Sequence, residues 1–190
     1  MEGSVVLERH KWLRSAWTFL KIVILVVIVT FFVHHFFFTN YVVSGKSMLP
    51  TIQDGEHVII NKIEYDWNAP QRFDLIVFRA TPETDYIKRV IGVPSDEIRY
   101  ENDHLYINDE LYEEPFLEQE KRALLDETFT YDFTLEQVTG EGKVPNDKYF
   151  VLGDNRPNSM DSRQLGFISK DRIIGKVDIT YWPLKRLRMF

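Results

Sequence analysis

Three stretches of this 190-residue chain hold side chains whose types and spacing suit chemistry. The first is Ser44-Gly45-Lys46-Ser47-Met48-Leu49-Pro50-Thr51, which directly follows the only membrane-length apolar run. Ser47 reads as a nucleophile, but a serine hydroxyl is weak until a base takes its proton. Cysteine is absent, which excludes thiol chemistry, disulfides and cysteine metal sites. His57 and His104 are the obvious bases outside the apolar run, and neither has a distinctive local setting. The second stretch, Tyr86-Ile87-Lys88-Arg89-Val90-Ile91-Gly92, does. A strand period places Lys88 on one face with Tyr86 and Val90, where its amine would be poorly hydrated. Desolvation disfavours the ammonium form and lowers the pKa. Bringing a lysine from about 10.4 to about 7.5 takes about 4 kcal/mol of differential destabilisation, which burial can supply. A neutral amine can accept a serine proton and return it to a leaving amine. A strand lysine is ordinarily a solvated edge residue, so this stretch alone does not settle the pairing.

The third stretch, residues 153–167, is a polar, turn-rich loop (Gly-Asp-Asn-Arg-Pro-Asn-Ser-Met-Asp-Ser-Arg-Gln-Leu-Gly-Phe). Any of its polar groups that are buried must bond to one another, and Asp161 and Arg163 can pair through a planar fork. Its residues alone read as scaffolding.

These stretches need elements to position them. Residues 17–38 are apolar except for Thr18, Lys21, Thr30, His34 and His35. As a helix they would extend about 33 Å, against a hydrocarbon core of about 30 Å. Arg9, Lys11 and Arg14 precede the run, which predicts a cytoplasmic segment 1–16, an anchor 17–38 and an extracytoplasmic domain 39–190. Trp12 and Trp17 suit one interface and Tyr41 the other; Lys21 can snorkel to the near headgroups. His34 and His35 read as interfacial side chains rather than ligands. The rival reading, a cleaved secretory signal, fits poorly. The run exceeds the usual apolar length of about 7–15 residues, and the nearest small residues, Ser44 and Gly45, lie inside the Ser47 stretch.

Beyond the anchor, short β-branched and aromatic runs at 57–60, 75–78, 87–91, 105–107, 149–152 and 177–181 predict strands. Residues 105–112 read as a hairpin turning at Asn108-Asp109, and residues 116–126 as a short helix or an exposed loop. Residues 101–141 carry 13 Asp and Glu against Lys121 and Arg122, a balance of −11 within the chain's −6, so the rest is +5. An acidic insert on a mildly basic body suits work near anionic lipid, or is simply a solvated lobe. The tail from Tyr181 mixes aromatic and basic residues and reads either as membrane-resting or as a frayed strand end.

Taken in order after an anchor, these stretches resemble the boxes of the bacterial type I signal peptidases of the Gram-positive, single-anchor form. Residues 44–51 match the nucleophile box, 70–79 the third box, 86–96 the lysine box and 153–167 the Gly-Asp-Asn-Arg box. The resemblance implies a mainly β fold: a transmembrane helix, then coiled antiparallel sheets with a smaller inserted lobe at about 99–147. It implies a serine endopeptidase, without metal or cofactor, that cuts exported preproteins after a small-x-small motif. Ser47 is then the nucleophile and Lys88 the general base. Ser159 is the hydroxyl that bonds and orients the lysine amine, and Asp161 and Arg163 are the pair bracing their loop. Partners implied are preproteins, membrane phospholipid and a nearby secretion translocon, at the cell membrane. Gly45 stands where some relatives have a second oxyanion-donating serine, and Phe73 and Ser95 stand where glycines are expected. Two rivals remain. Self-cleaving repressor-type Ser/Lys proteases carry a nucleic-acid-binding segment that this chain lacks, and a non-catalytic anchored relative would have lost Ser47 or Lys88.

Overall fold

The computed structural model describes residues 17–31, 37–123 and 128–190. The chain divides into two compact units, Met1–Thr39 and Asn40–Phe190. In the first, residues 17–31 form a helix, α1. Its large apolar side chains are exposed, and Lys21 Nζ lies 5.8 Å from the ring centroid of Trp17, one turn away. No helix among the described residues is long and apolar enough to cross a membrane. The expected segment 1–16 and residues 32–36, with His34 and His35, lie outside the described residues.

The second unit is built on antiparallel strands. The chain runs through β1 (Phe38–Val42), β2 (His57–Asn61), the single turn α2 (Glu64–Trp67), β3 (Leu75–Thr81) and β4 (Thr84–Gly92). An excursion follows: β5 (Ile98–Glu101), β6 (His104–Ile107), β7 (Glu110–Tyr112), α3 (Glu118–Ala123), β8 (Phe133–Thr134) and α4 (Leu135–Thr139). The chain then returns through β9 (Lys148–Leu152), α5 (Ser162–Leu165), β10 (Ile168–Ser169), β11 (Ile173–Trp182) and β12 (Arg188–Met189). The main sheet has the order β1-β2-β11-β3-β4-β9-β10, with β12 on β11; the excursion forms a second sheet, β7-β6-β5-β8. Each strand expected from the sequence is present, extended by one to several residues. Leu75–Phe78 are buried on both faces, which is why that run does not alternate, whereas β2 alternates between buried and half-buried positions.

The inserted sheet shares a core with the main one. Ile98, Tyr100, Leu105 and Phe133 pack with Ile91, Phe150 and Leu152 from β4 and β9. A buried polar bolt reinforces the joint. Arg156 donates from Nη2 to Glu114 Oε1 at 2.6 Å and from Nη1 to the Tyr100 hydroxyl at 2.7 Å. Tyr100 donates in turn to Glu114 at 2.8 Å, and Arg156 Nε reaches Gly153 O at 3.1 Å. Burial pushes the Glu114 carboxyl upward, but Arg156 outweighs it and holds the group below its ordinary range.

Turn chemistry explains the local geometry. Asn108 and Asp109 adopt φ of 52° and 64°, the paired left-handed conformation of a two-residue hairpin loop. Asn102 and Asp103, at 50° and 66°, do the same between β5 and β6. Phe73 and Ser95, where glycine was expected, have φ of 70° and 76°: the left-handed turns are kept without glycine. Residues 115–117 form a 3-10 turn leading into α3, so the helical reading of this region holds up to residue 123; residues 124–127 lie outside the described residues. The tail is not frayed. β12 pairs with β11, and Arg186 and Arg188 reach the buried Glu56 at 3.1 and 2.7 Å.

Ser95 is exposed and left-handed, so Ser95→Gly should stabilise by about 1 kcal/mol, read as a raised urea midpoint; a lowered midpoint would contradict the strain. Glu114→Gln strands the Arg156 charge in the core and should cost about 3–5 kcal/mol; a change under about 1 kcal/mol, the worth of an exposed pair, would show the bolt to be inconsequential.

Candidate active site

The loop between β1 and β2 presents Ser47. Gly45, at φ 105°, takes a conformation that side chains disfavour, and its N–H donates to Asp54 Oδ1 at 2.8 Å. Met48 is buried as an anchor, and Ile52 N–H closes a turn onto Met48 O at 2.8 Å. The loop after β9 grips the same segment from the other side. Asn155 donates from its backbone to Ser47 O and from Nδ2 to Lys46 O, both at 3.0 Å. Gly153 makes this approach possible: a Cβ there would lie 2.5 Å from Ser47 O and closer still to Ser159 Oγ. Among the described residues the Ser47 N–H makes no hydrogen bond.

Lys88 stands in β4 between β3 and β9, and only 2% of it is exposed. Its Nζ lies 2.7 Å from Ser47 Oγ and 3.0 Å from Ile87 O, 5.1 Å from the Tyr86 ring centroid. Burial lowers its pKa from 10.5 to about 8, with Asp161 and Asp154 pulling the other way.

Both carboxylates are committed to arginines. Asp161 accepts from Arg163 Nε and Nη2, each at 2.8 Å, caps α5 and accepts from the Gly153 N–H at 3.0 Å. Arg163 also donates to Arg156 O at 2.7 Å. Asp154 accepts from Arg89 Nε and Nη2 at 2.8 and 2.6 Å. Arg89 further donates to Phe73 O at 2.9 Å and stacks on Phe116, 3.8 Å from its centroid. The left-handed turn at Phe73 thus aims a carbonyl at the guanidinium.

A small cleft of about 200 Å³ adjoins the Ser47–Lys88 pair, with Tyr41, Val43, Met48, Val77, Tyr86 and Ile87 in its walls.

Of the residues expected from the sequence, Ser47 meets Lys88 and Asp161 meets Arg163. Ser159 lies against the Gly153 position, but its Oγ is buried without a partner among the described residues and the expected bond to Lys88 is not formed. Lys88 bonds Ser47 and Ile87 instead. His57 sits by Tyr181, and His104 by Asn102. Among the described residues no group of His, Asp or Glu could hold a metal ion. The residue-level reading missed Arg89, Asp154, Asn155 and Gly153. Their signal was faint: Arg89 adjoins Lys88, and the other three are consecutive at the start of the polar 153–167 loop.

The comparisons agree with one another. A family described as signal peptidase, peptidase S26, matches residues 16–182. Signal peptidase I of Bacillus caldolyticus is 53% identical over 148 residues, 78% of this chain and 81% of that protein. Signal peptidase IB of Staphylococcus aureus (strain Mu50) is 39% identical over 154 residues, 79% of this chain and 81% of that protein. The crystal structure of a signal peptidase I from Enterococcus faecalis V583 superposes with a TM-score of 0.55 at 42% identity, covering 58% of this chain and 97% of that one. With the family match spanning most of its length, the chain belongs to the signal peptidases of peptidase family S26.

Proposed function

We propose that this protein removes signal peptides from exported preproteins, with Ser47 as nucleophile and Lys88 as general base. The observation that carries the reading is a buried amine 2.7 Å from a serine hydroxyl. Neutral Lys88 accepts the Ser47 proton as Oγ bonds to the carbonyl carbon of the scissile peptide. The Ser47 N–H, unpartnered among the described residues, donates to the developing oxyanion; Gly45 adds no side-chain donor. The Lys88 ammonium then protonates the leaving amine as the C–N bond breaks, leaving an ester on Ser47. Water, deprotonated by the same amine, attacks the ester, and the proton returns to Ser47 Oγ as the acyl group departs. Ser159 Oγ, buried and unpartnered, is the acceptor for Lys88 while it is charged. Asp161 and Arg163 brace the loop.

The cleft's small volume and apolar walls support a preference for a small-x-small motif. In an extended peptide, side chains two apart share one face, so the last residue and the third from the cut enter the cleft together. The exposed apolar face of α1 and the basic residues before it support a single-pass anchor at 17–38. The segment 1–16 would be cytoplasmic and the catalytic domain, from 39, extracytoplasmic, beside phospholipid and close to a translocon. The residues between Phe38 and Ser47 reach at most about 32 Å, which confines the nucleophile to the zone where a membrane-bound signal peptide ends.

Ser47→Ala and Lys88→Ala should each reduce preprotein processing by at least about 10⁴-fold with the fold intact by circular dichroism, because such a pair acts as a unit. Lys88→Arg should be equally inactive, since guanidinium does not deprotonate; processing by the Arg variant would remove the general-base role. With Lys88 at about 8, kcat/KM should climb nearly tenfold from pH 6 to 7 and level above 8, as the free enzyme loses the lysine proton. A flat profile from pH 6 to 9, with chemistry rate-limiting, would contradict the assignment.

A further inference from the structure

The cleft has two walls: the segment from Tyr41 to Ser47, and the β4 segment from Asp85 to Lys88. Among the described residues, two side-chain hydrogen bonds join them. One is the Ser47–Lys88 pair at 2.7 Å; the other is Tyr41, whose hydroxyl donates to Asp85 Oδ2 at 2.9 Å. The apolar cleft is therefore tied at both ends. Burial, and then Asp85, raise the Tyr41 hydroxyl to about 12, so it remains a proton donor throughout the neutral range. Asp85 lies opposite Arg79 across the β3–β4 pair, a cation to which its carboxylate can turn when Tyr41 offers no proton.

Distance assigns the second tie to a particular substrate position. At about 3.3 Å per strand residue, Asp85 lies about 10 Å along β4 from Lys88. An extended peptide with its scissile carbonyl at Ser47 places the third side chain before the cut about 7 Å back, on the same face as the last. That side chain stops one residue short of the Tyr41–Asp85 bond, whose two residues line the same cleft.

Resting on the signal-peptidase reading above, we propose that the Tyr41–Asp85 hydrogen bond is a specificity latch. It holds the Tyr41 ring across the far end of the cleft and restricts the third residue before the cut to a small side chain. Released from Asp85, the ring can swing out and a longer aliphatic side chain can enter.

The test uses the detergent-solubilised full chain and two preprotein series. One carries Ala, Val or Leu at the third residue before the cut, with Ala at the last; the other varies the last residue instead. In the parent protein, Ala should exceed Leu in kcat/KM in both series. Tyr41→Phe keeps the ring and removes only the hydroxyl. It should shrink the Ala-to-Leu ratio at the third residue by about tenfold, the scale on which an apolar pocket discriminates a few methylenes, while the ratio at the last residue stays as in the parent. Asp85→Ala should do the same, and the double variant should shrink the ratio no further than either single change, since both remove one bond. An unchanged ratio at the third residue in either single variant, with the parent discriminating, would overturn the latch and leave the peptidase reading standing. Additive effects in the double variant would likewise overturn it in favour of two independent wall contacts. A parent protein that fails to cut the Ala-x-Ala preprotein at all would instead sink the underlying reading, and the latch with it.

Discussion

The site depends on one unfavourable placement: an amine held out of water. Lys88 is covered by its own sheet and by the Ser47 loop, and burial brings it from 10.5 to about 8. By linkage that shift costs about 3 kcal/mol of stability below pH 8, where folded and unfolded chains are both protonated. The sign is definite. Between pH 8 and 10.5 the unfolded state binds the proton and the folded state does not, so stability rises with pH across that window; below 8 the cost is constant. The rest of the domain, with three buried apolar clusters, holds the amine there.

The surrounding ion pairs take their meaning from that constraint. A free carboxylate near Lys88 would stabilise the ammonium and undo the effect of burial. Asp154 and Asp161 are the two carboxylates that pull on Lys88, and each is engaged in a two-pronged pair with an arginine, Arg89 and Arg163. Their pull on the amine is outweighed by burial. The same arginines tie the frame together. Arg89 follows Lys88 in β4 and binds the loop after β9, and Arg163 reaches the carbonyl of Arg156, whose own guanidinium is bolted to Glu114 of the inserted sheet. The acidic lobe is therefore mechanically continuous with the loop that carries Asn155 and grips Ser47.

What was legible in the sequence, and what was not, follows from the range of the interactions. Strands were readable because β-branched runs bounded by turn residues are local signals, and the Asn108-Asp109 turn was readable for the same reason. Its twin at Asn102-Asp103 went unread because it was enclosed in polar surroundings. Lys88 could be suspected of burial from Tyr86 and Val90, but its contact with Ser47 crosses 41 residues, and only the resemblance joined them. The Arg89–Asp154 pair, 65 residues apart, had no local signature. Phe73 and Ser95 read as departures from an expected glycine; the backbone bends there regardless, because contacts such as Phe73 N–H to Val90 O at 2.7 Å dictate the turn. The Ser159 contact was expected from the resemblance and is not formed in the resting structure, where the Lys88 amine is occupied by Ser47 and Ile87.

The most direct measurement is an NMR titration of the Lys88 side chain in the otherwise unaltered protein, selectively labelled with ¹³C and ¹⁵N lysine and assigned by its loss in a Lys88→Met variant. The Lys88 ε-methylene resonance should move through a midpoint near pH 8, well below those of the exposed lysines. A midpoint at or above 10.5, the ordinary lysine value, would mean that the amine is charged at working pH and would contradict its role as the base for Ser47.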